Sequence, residues 1–402
     1  MRKAITNIHY YVKDSVVHLT WLMHHSIFES QQSNCSFEQF EIYRKEVDFV
    51  FGVDYDEFFY NLDFTKAELV FSGRIEPENK RKFSFVDKNI EIGKTYGYYI
   101  KSKNGDISGP LPLKIRDGHV WWSYEKIMGS LNEIKRLCPE GTELFSCGQT
   151  VEGRDIPVLI AGKGDITIGL TGIVHGGESG PELIIPFMKH LLADGGNLLN
   201  KFKIIAVPAV NIDAREKMVS GAPWYIRTNS RGVDLNRNFP CGWENIDLSY
   251  GENSSDPTAT TYRGPCPASE PETQALIGLF KKYTPDLLFS YHWLAGICSL
   301  PALVPALAKD DSEYIEKAEK IITTYAEGLG IESNNNKYIK ISPIKGTFGR
   351  WLYKNFGTIA FDLEGGLGEE SQKSMYDLVD RKMIENFQKK HVKSIIEVIK
   401  QY

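Results

Sequence analysis

From residue 5 to 117 the apolar residues come in short alternating runs: "VVHLTWLM", "FEQFEIYRK", "RKFSFVD" and "GKTYGYYIKSKNGDISGP". Val, Ile, Tyr and Phe at every second position, broken by Gly, Asn, Asp and Pro, describe antiparallel strands with one buried face, the pattern of a β-sandwich. After "LKIRDGHVWWSYEKI" the period changes. The runs "DITIGLTGIV", "FKIIAVPAV", "PDLLFSYH" and "GTIAFDLEG" are apolar at consecutive positions and alternate with helical stretches near 180–193, 269–283, 311–329 and 371–400. Strands too apolar to meet water on either face, separated by helices, predict an α/β fold: a mixed, largely parallel sheet with helices on both faces. The expected organisation is an all-β sandwich domain over 1–117 and an α/β domain over 118–402, with no internal repeat and no low-complexity linker. In open α/β sheets, sites gather at the carboxyl ends of the strands.

At 402 residues the chain is long enough for two or three domains with a sizeable core. A composition of 42% hydrophobic and 25% charged residues is ordinary for a soluble protein, and a net charge of -5 gives no basic face that selects nucleic acid. The opening "MRKAITNIHYYVKD" lacks the apolar stretch of a secretory signal, and no later run approaches membrane-spanning length. The expectation is a cytoplasmic protein with no membrane contact, exported only if a leader has been removed. The six cysteines contain no CxxC pair and are too sparse for a disulfide scaffold. Free thiols are expected, with Cys241 and Cys266, which flank one long loop, the pair to bridge in an exported protein.

Candidate chemistry begins at "GIVHGGESGPE", Gly172 to Glu182, where His175 and Glu178 stand three apart at the end of an apolar strand. The pair reads either as half of a metal site or as two polar residues in a glycine-rich turn; imidazole nitrogen and carboxylate oxygen both suit Zn²⁺. A catalytic zinc keeps three protein ligands and an open position, and His292, ending the apolar run "PDLLFSYH", offers the third; alone it reads as a satisfied core histidine, and beside His175 and Glu178 as a ligand. The adjacent pair His24 and His25 is set aside, because neighbouring strand residues point to opposite faces. Arg227, Arg231, Asn236, Arg237 and Asn238 crowd into "RTNSRGVDLNRNFP". Guanidinium forks of this kind bind carboxylates, and a solvated charged loop is the other reading.

Together these pieces resemble the M14 zinc carboxypeptidase family, with its carboxypeptidase A-like fold. The resemblance rests on "HGGE", "NIDA", "RTNSRGVDLNRNF", "YRGPCPASEPET", the strand-end His292 and "AFDLEGG", which fall in the family's order across residues 121–402. The placement of Trp21, of Ile42 to Arg44 and of "GKTYGYYI" resembles a fibronectin type III module. The family resemblance implies one Zn²⁺ per chain held by His175, Glu178 and His292, with Asp234 supporting the first histidine through its other ring nitrogen. It makes Glu364 the general base and Arg227 the residue that polarises the scissile carbonyl. Asn236 and Arg237 become the grip on a substrate's terminal carboxylate. Asp362 lies on the same strand face as Glu364, and the alignment favours Glu364 as base.

The resemblance implies a peptide substrate cut at its C-terminal bond. "SPIKGTFG" is similar to a loop of the murein peptide amidases, which cut a bond to diaminopimelate, so a cell-wall peptide is the alternative substrate. A zinc deacylase of small conjugates and a non-catalytic binding protein are further alternatives. The family's mobile-loop tyrosine falls near Lys340 or Ile341, with Tyr338 displaced from it. Within "GTFGRW", Phe348 suggests an apolar or mixed pocket and Arg350 a reader of acidic groups. Oligomeric state is not legible.

Overall fold

The computed structural model describes residues 5–24, 38–47, 62–79, 81–245, 254–292, 302–331, 338–364 and 381–402. The chain divides into two compact units: Met1–Gly118 with Lys217–Trp224, and His119–Glu216 with Tyr225–Tyr402.

The first unit is all-β. Its strands are β1 (Ile5–Lys13), β2 (Val16–Met23), β3 (Glu38–Val47), β4 (Glu68–Ile75), β5 (Lys82–Asp87), β6 (Thr95–Ser102) and β7 (Ile107–Lys114). They form two antiparallel sheets, ordered β1-β2-β5 and β4-β3-β6-β7. The alternation read from the sequence is realised in β2, where Val17, Leu19, Trp21 and Met23 are buried and the residues between them are half-buried. These side chains share one core with Phe40, Ile42, Phe83 and Tyr98. His24 follows β2, and its neighbour His25 lies outside the described residues.

A second chain segment completes this unit. The carbonyl of Ser220 accepts from Val12 N at 2.9 Å, that of Gly221 accepts from Lys114 N at 2.9 Å, and Arg116 donates to the carbonyls of Met218, Ala222 and Pro223. Nothing in the residue pattern of 217–224 sets it apart from its surroundings, so only the fold reveals its allegiance.

The second unit is built on β8 (Thr142–Gln149), β9 (Asp155–Ala161), β10 (Ile166–Thr171), β11 (Phe202–Val207), β12 (Leu287–His292), β13 (Ala302–Pro305), β14 (Ile339–Ser342) and β15 (Ile359–Glu364). Their order is β14-β13-β15-β12-β10-β11-β9-β8. The central run β15-β12-β10-β11 is parallel, as is β14 with β13, whereas β13/β15, β11/β9 and β9/β8 are antiparallel. The helices are α1 (Tyr124–Leu137), α2 (Pro181–Asp194), α3 (Leu198–Lys201), α4 (Ile212–Val219), α5 (Pro271–Lys282), α6 (Ser312–Leu329), α7 (Phe348–Phe356) and α8 (Arg381–Gln401). None of the described helices is long and apolar enough to cross a membrane.

Both sheet faces are covered, which is why β12 is buried at every position. On one face Val207, Leu288 and Ala360 pack with Leu276 and Phe280 of α5 and with Phe348 and Trp351 of α7. On the other, Phe289 meets Tyr325 of α6 and Tyr291 meets His391 of α8. Phe348 therefore belongs to the core, stacked between Phe239, Phe280 and Trp351 and fully buried, and does not line a pocket. The reason is local: Thr347 caps α7 by accepting from Arg350 N, so the residue after it starts a helix whose apolar side faces the sheet.

His391 gives the second unit an acid-sensitive joint. Its ring sits between the hydroxyls of Tyr325 (2.7 Å) and Tyr291 (3.3 Å), fully buried, and burial pushes its pKa down to about 3. The unfolded chain binds a proton at this residue from about pH 6.5 downward, whereas the folded chain resists until about pH 3. Stability must fall as pH falls through that window, by up to about 1.4 kcal/mol per pH unit. Replacing His391→Gln should flatten the loss between pH 6 and 4 relative to the wild type in urea unfolding; parallel curves would show that His391 does not control it.

Candidate metal centre and active site

Each proposed ligand sits at the end of a central strand. After β10 the chain turns sharply: Ile173, a β-branched residue, adopts φ 49°, a left-handed conformation that costs on the order of 1–3 kcal/mol. It is held there by Asn211 N, which donates to Ile173 O at 2.7 Å. The turn throws His175 and Glu178 inward, and the two glycines between them permit the close approach. A Cβ on Gly176 would lie 2.5 Å from that of Ala214, and one on Gly177 would lie 2.0 Å from the Tyr225 ring.

The loop is fastened from below by Arg215 of α4. This fully buried guanidinium donates to Gly176 O at 2.9 Å, to Glu178 O, and to the Glu182 carboxylate at 2.8 Å. Arg215 and Glu182 escaped the sequence reading; a charged pair with both members buried leaves no trace in hydropathy.

His175, Glu178 and His292 converge, with ligand atoms all within 4.8 Å of one another. His175 Nδ1 lies 2.7 Å from Glu178 Oε1, and His292 Nδ1 lies 3.0 Å from Glu178 Oε2. Both imidazoles turn the same nitrogen inward and give the other to a support. His175 Nε2 meets Asp234 Oδ1 at 3.0 Å, and His292 Nε2 meets Ser290 Oγ at 3.1 Å. Donors about 2.1 Å from a tetrahedral ion lie roughly 3.4 Å apart, so two nitrogens and a carboxylate at these separations fit zinc. Outward nitrogens tied to a carboxylate or hydroxyl are the arrangement that fixes ligand tautomers.

The electrostatics match a cation at this point. Burial pushes the Glu178 carboxyl up, but His175 and His292 overcome it and hold it well below the usual carboxylate range. Burial works in the same way on Asp234, where Arg227, Arg237 and His175 prevail and lower it. Glu364, the register partner of His292 across β15 and β12, goes the other way: burial raises it, and Glu178 and Asp362 add to the rise.

The remaining predicted residues surround the three ligands. Arg227 Nε donates to Asp234 Oδ2 at 2.8 Å and keeps part of its side chain exposed. Asn236 is buried, with Oδ1 accepting from Phe348 N at 2.9 Å and Nδ2 reaching Asp362 at 3.4 Å. Arg237 donates to Asn236 O at 2.9 Å and lines a cleft with Trp243, Arg263 and Lys345. Tyr225, which no motif singles out, donates its hydroxyl to Glu178 Oε1 at 3.1 Å. Tyr338 is spent on the Ile331 carbonyl at 3.3 Å, and Ile341 is exposed. The described cysteines Cys138, Cys147, Cys241 and Cys266 are free thiols, so Cys241 and Cys266 do not bridge.

Residues 127–393 match the profile of the zinc carboxypeptidase family, peptidase M14, and the chain belongs to that family of metallopeptidases. It is 28% identical over 270 residues to carboxypeptidase E of Caenorhabditis elegans, covering 60% of this chain and 51% of that one. It is 29% identical over 203 residues to the carboxypeptidase N catalytic chain of Homo sapiens, covering 44% and 43% respectively. The chain thus spans about half the length of these curated relatives. The fold resembles the crystal structure of carboxypeptidase A from Helicoverpa armigera, with a TM-score of 0.55 at 17% identity over 71% of this chain and 74% of that one.

Proposed function

We propose that this protein is a zinc-dependent carboxypeptidase that hydrolyses the C-terminal bond of a peptide. The observation that carries the reading is the convergence of His175, Glu178 and His292, with Glu364 in register beside His292. When bound in this cradle, zinc supplies Lewis acidity that lowers the pKa of water toward about 7 and polarises a carbonyl.

The chain's own residues do the rest. The Glu364 carboxylate accepts the proton of the attacking water and passes it to the nitrogen of the leaving residue. Arg227, kept charged by Asp234, faces negative charge as it grows on the carbonyl oxygen, a contribution of about 3 kcal/mol for one well-placed donor. Asp234 holds His175 in one tautomer. Arg237 grips the terminal carboxylate in its cationic cleft, and the Asn236 amide adds a donor beside it.

Zinc-loaded protein should release the last residue from peptides with a free C-terminus and leave the same peptides intact when the C-terminus is amidated. Dialysis against a chelator should abolish the release, and zinc should restore it. Equal cleavage of free and amidated peptides would replace the exopeptidase reading with an amidase or endopeptidase one.

A further inference from the structure

Two of the three ligands are steadied from outside, His175 by Asp234 and His292 by Ser290. The third needs such help more than an imidazole does, because a carboxylate turns about its last bond with only broad preferences. Arg215 fixes the Glu178 backbone by donating to its carbonyl, which leaves the head of the side chain to be held from elsewhere. The half-buried Tyr225 reaches that head, its hydroxyl donating to Oε1 at 3.1 Å.

The ligand loop is shaped around the Tyr225 ring. A Cβ on Gly177, the residue before Glu178, would overlap the edge of that ring, so the ring keeps its seat only because position 177 has no side chain. The next residue closes over the loop as well: a Cβ on Gly176 would lie 3.0 Å from the Ile226 carbonyl oxygen. Asn211 ties the two stretches together, its backbone N donating to Ile173 O at 2.7 Å and its Nδ2 to Arg227 O at 3.4 Å. Tyr225 and Arg227 thus stand two residues apart on one anchored stretch, and each serves the ligand set. Tyr225 meets Glu178 directly, and Arg227 meets Asp234, which holds His175.

We propose that Tyr225 is a positioning residue for the metal, its hydroxyl holding the Glu178 carboxylate in the orientation that ligates. This rests on the carboxypeptidase reading only in taking the ion to be zinc. A hydroxyl donating to a carboxylate makes a charge-assisted bond, roughly twice as strong as a neutral one. Partners that orient a metal ligand from behind are typically worth about 10–100-fold in metal affinity.

The test is the zinc affinity of the full-length protein, measured by competition with a chromophoric chelator, which needs no turnover. Tyr225→Phe keeps the ring in its seat and removes only the hydroxyl; it should bind zinc about 10–100-fold more weakly. Cobalt(II) bound in place of zinc should show visible bands shifted from those of the wild type, because the carboxylate it meets is no longer held, whereas a residue that merely packs would leave them in place. Gly177→Ala displaces the ring without altering the tyrosine and should bring a loss of similar size. The two substitutions together should add little to either alone, since both act through one hydrogen bond. Wild-type zinc affinity in Tyr225→Phe, or losses that add in full in the double variant, would overturn the proposal. Peptides with a free C-terminus provide the second arm. A wild type that binds zinc with this dependence on Tyr225 and cleaves none of them would uphold the Tyr225 assignment and sink the carboxypeptidase reading instead.

Discussion

Glu364→Gln should keep its zinc and its fold and lose on the order of 10²–10⁴ in kcat, the usual worth of a positioned proton-transfer group. The substitution preserves shape and removes only the basic oxygen, so metal content by elemental analysis should stay at one ion per chain while turnover collapses. Near-normal turnover would remove Glu364 from the mechanism and leave Asp362, two residues earlier on the same face, as the carboxylate to test. The pH profile should agree. Burial, reinforced by Glu178 and Asp362, raises the Glu364 carboxyl, and a base acts only when deprotonated. The acid limb of kcat/KM that reports this base should vanish in the Gln variant.

Asp234→Ala should produce the largest combined loss of stability and metal affinity. This carboxylate is completely buried and serves His175 Nε2, Arg227 Nε and Asn236 N at 3.0, 2.8 and 2.9 Å. Removing it strands a guanidinium that is mostly out of water, a type of loss that costs about 3–5 kcal/mol. It also frees the His175 ring, for which a 10–100-fold loss of zinc affinity is typical. Urea unfolding and zinc competition would measure the two effects separately. Asp234→Asn, which keeps the shape, should recover part of the stability and less of the affinity. An unchanged zinc affinity in Asp234→Ala would mean that His175 is oriented by its loop alone.

The central strands and the metal cradle were legible because one physical rule governs both. A parallel strand buried on two faces must be apolar throughout, so a histidine closing such a run stands out, as His175 and His292 do. The flanking strands β8, β9, β13 and β14 were not legible: β8 is half-buried, β13 and β14 span four residues each, and β9, although buried after its first residue, is interrupted by Pro157, which argues against a central strand. α1 escaped because only Ile127, Leu131 and Ile134 of its fourteen residues are buried. α7 escaped because nine residues are too few to establish a period, and for that reason Phe348 was assigned to a pocket it does not line.

The excursion from Lys217 to Trp224 has a practical corollary for anyone wishing to study the two units apart. A clone starting at His119 would carry that excursion with its acceptors at Met218, Ser220, Gly221, Ala222 and Pro223 stripped of the donors from Val12, Lys114 and Arg116. Genetic dissection at residue 118 thus amputates rather than separates, and a soluble hydrolytic fragment calls for a short engineered bypass between Glu216 and Tyr225.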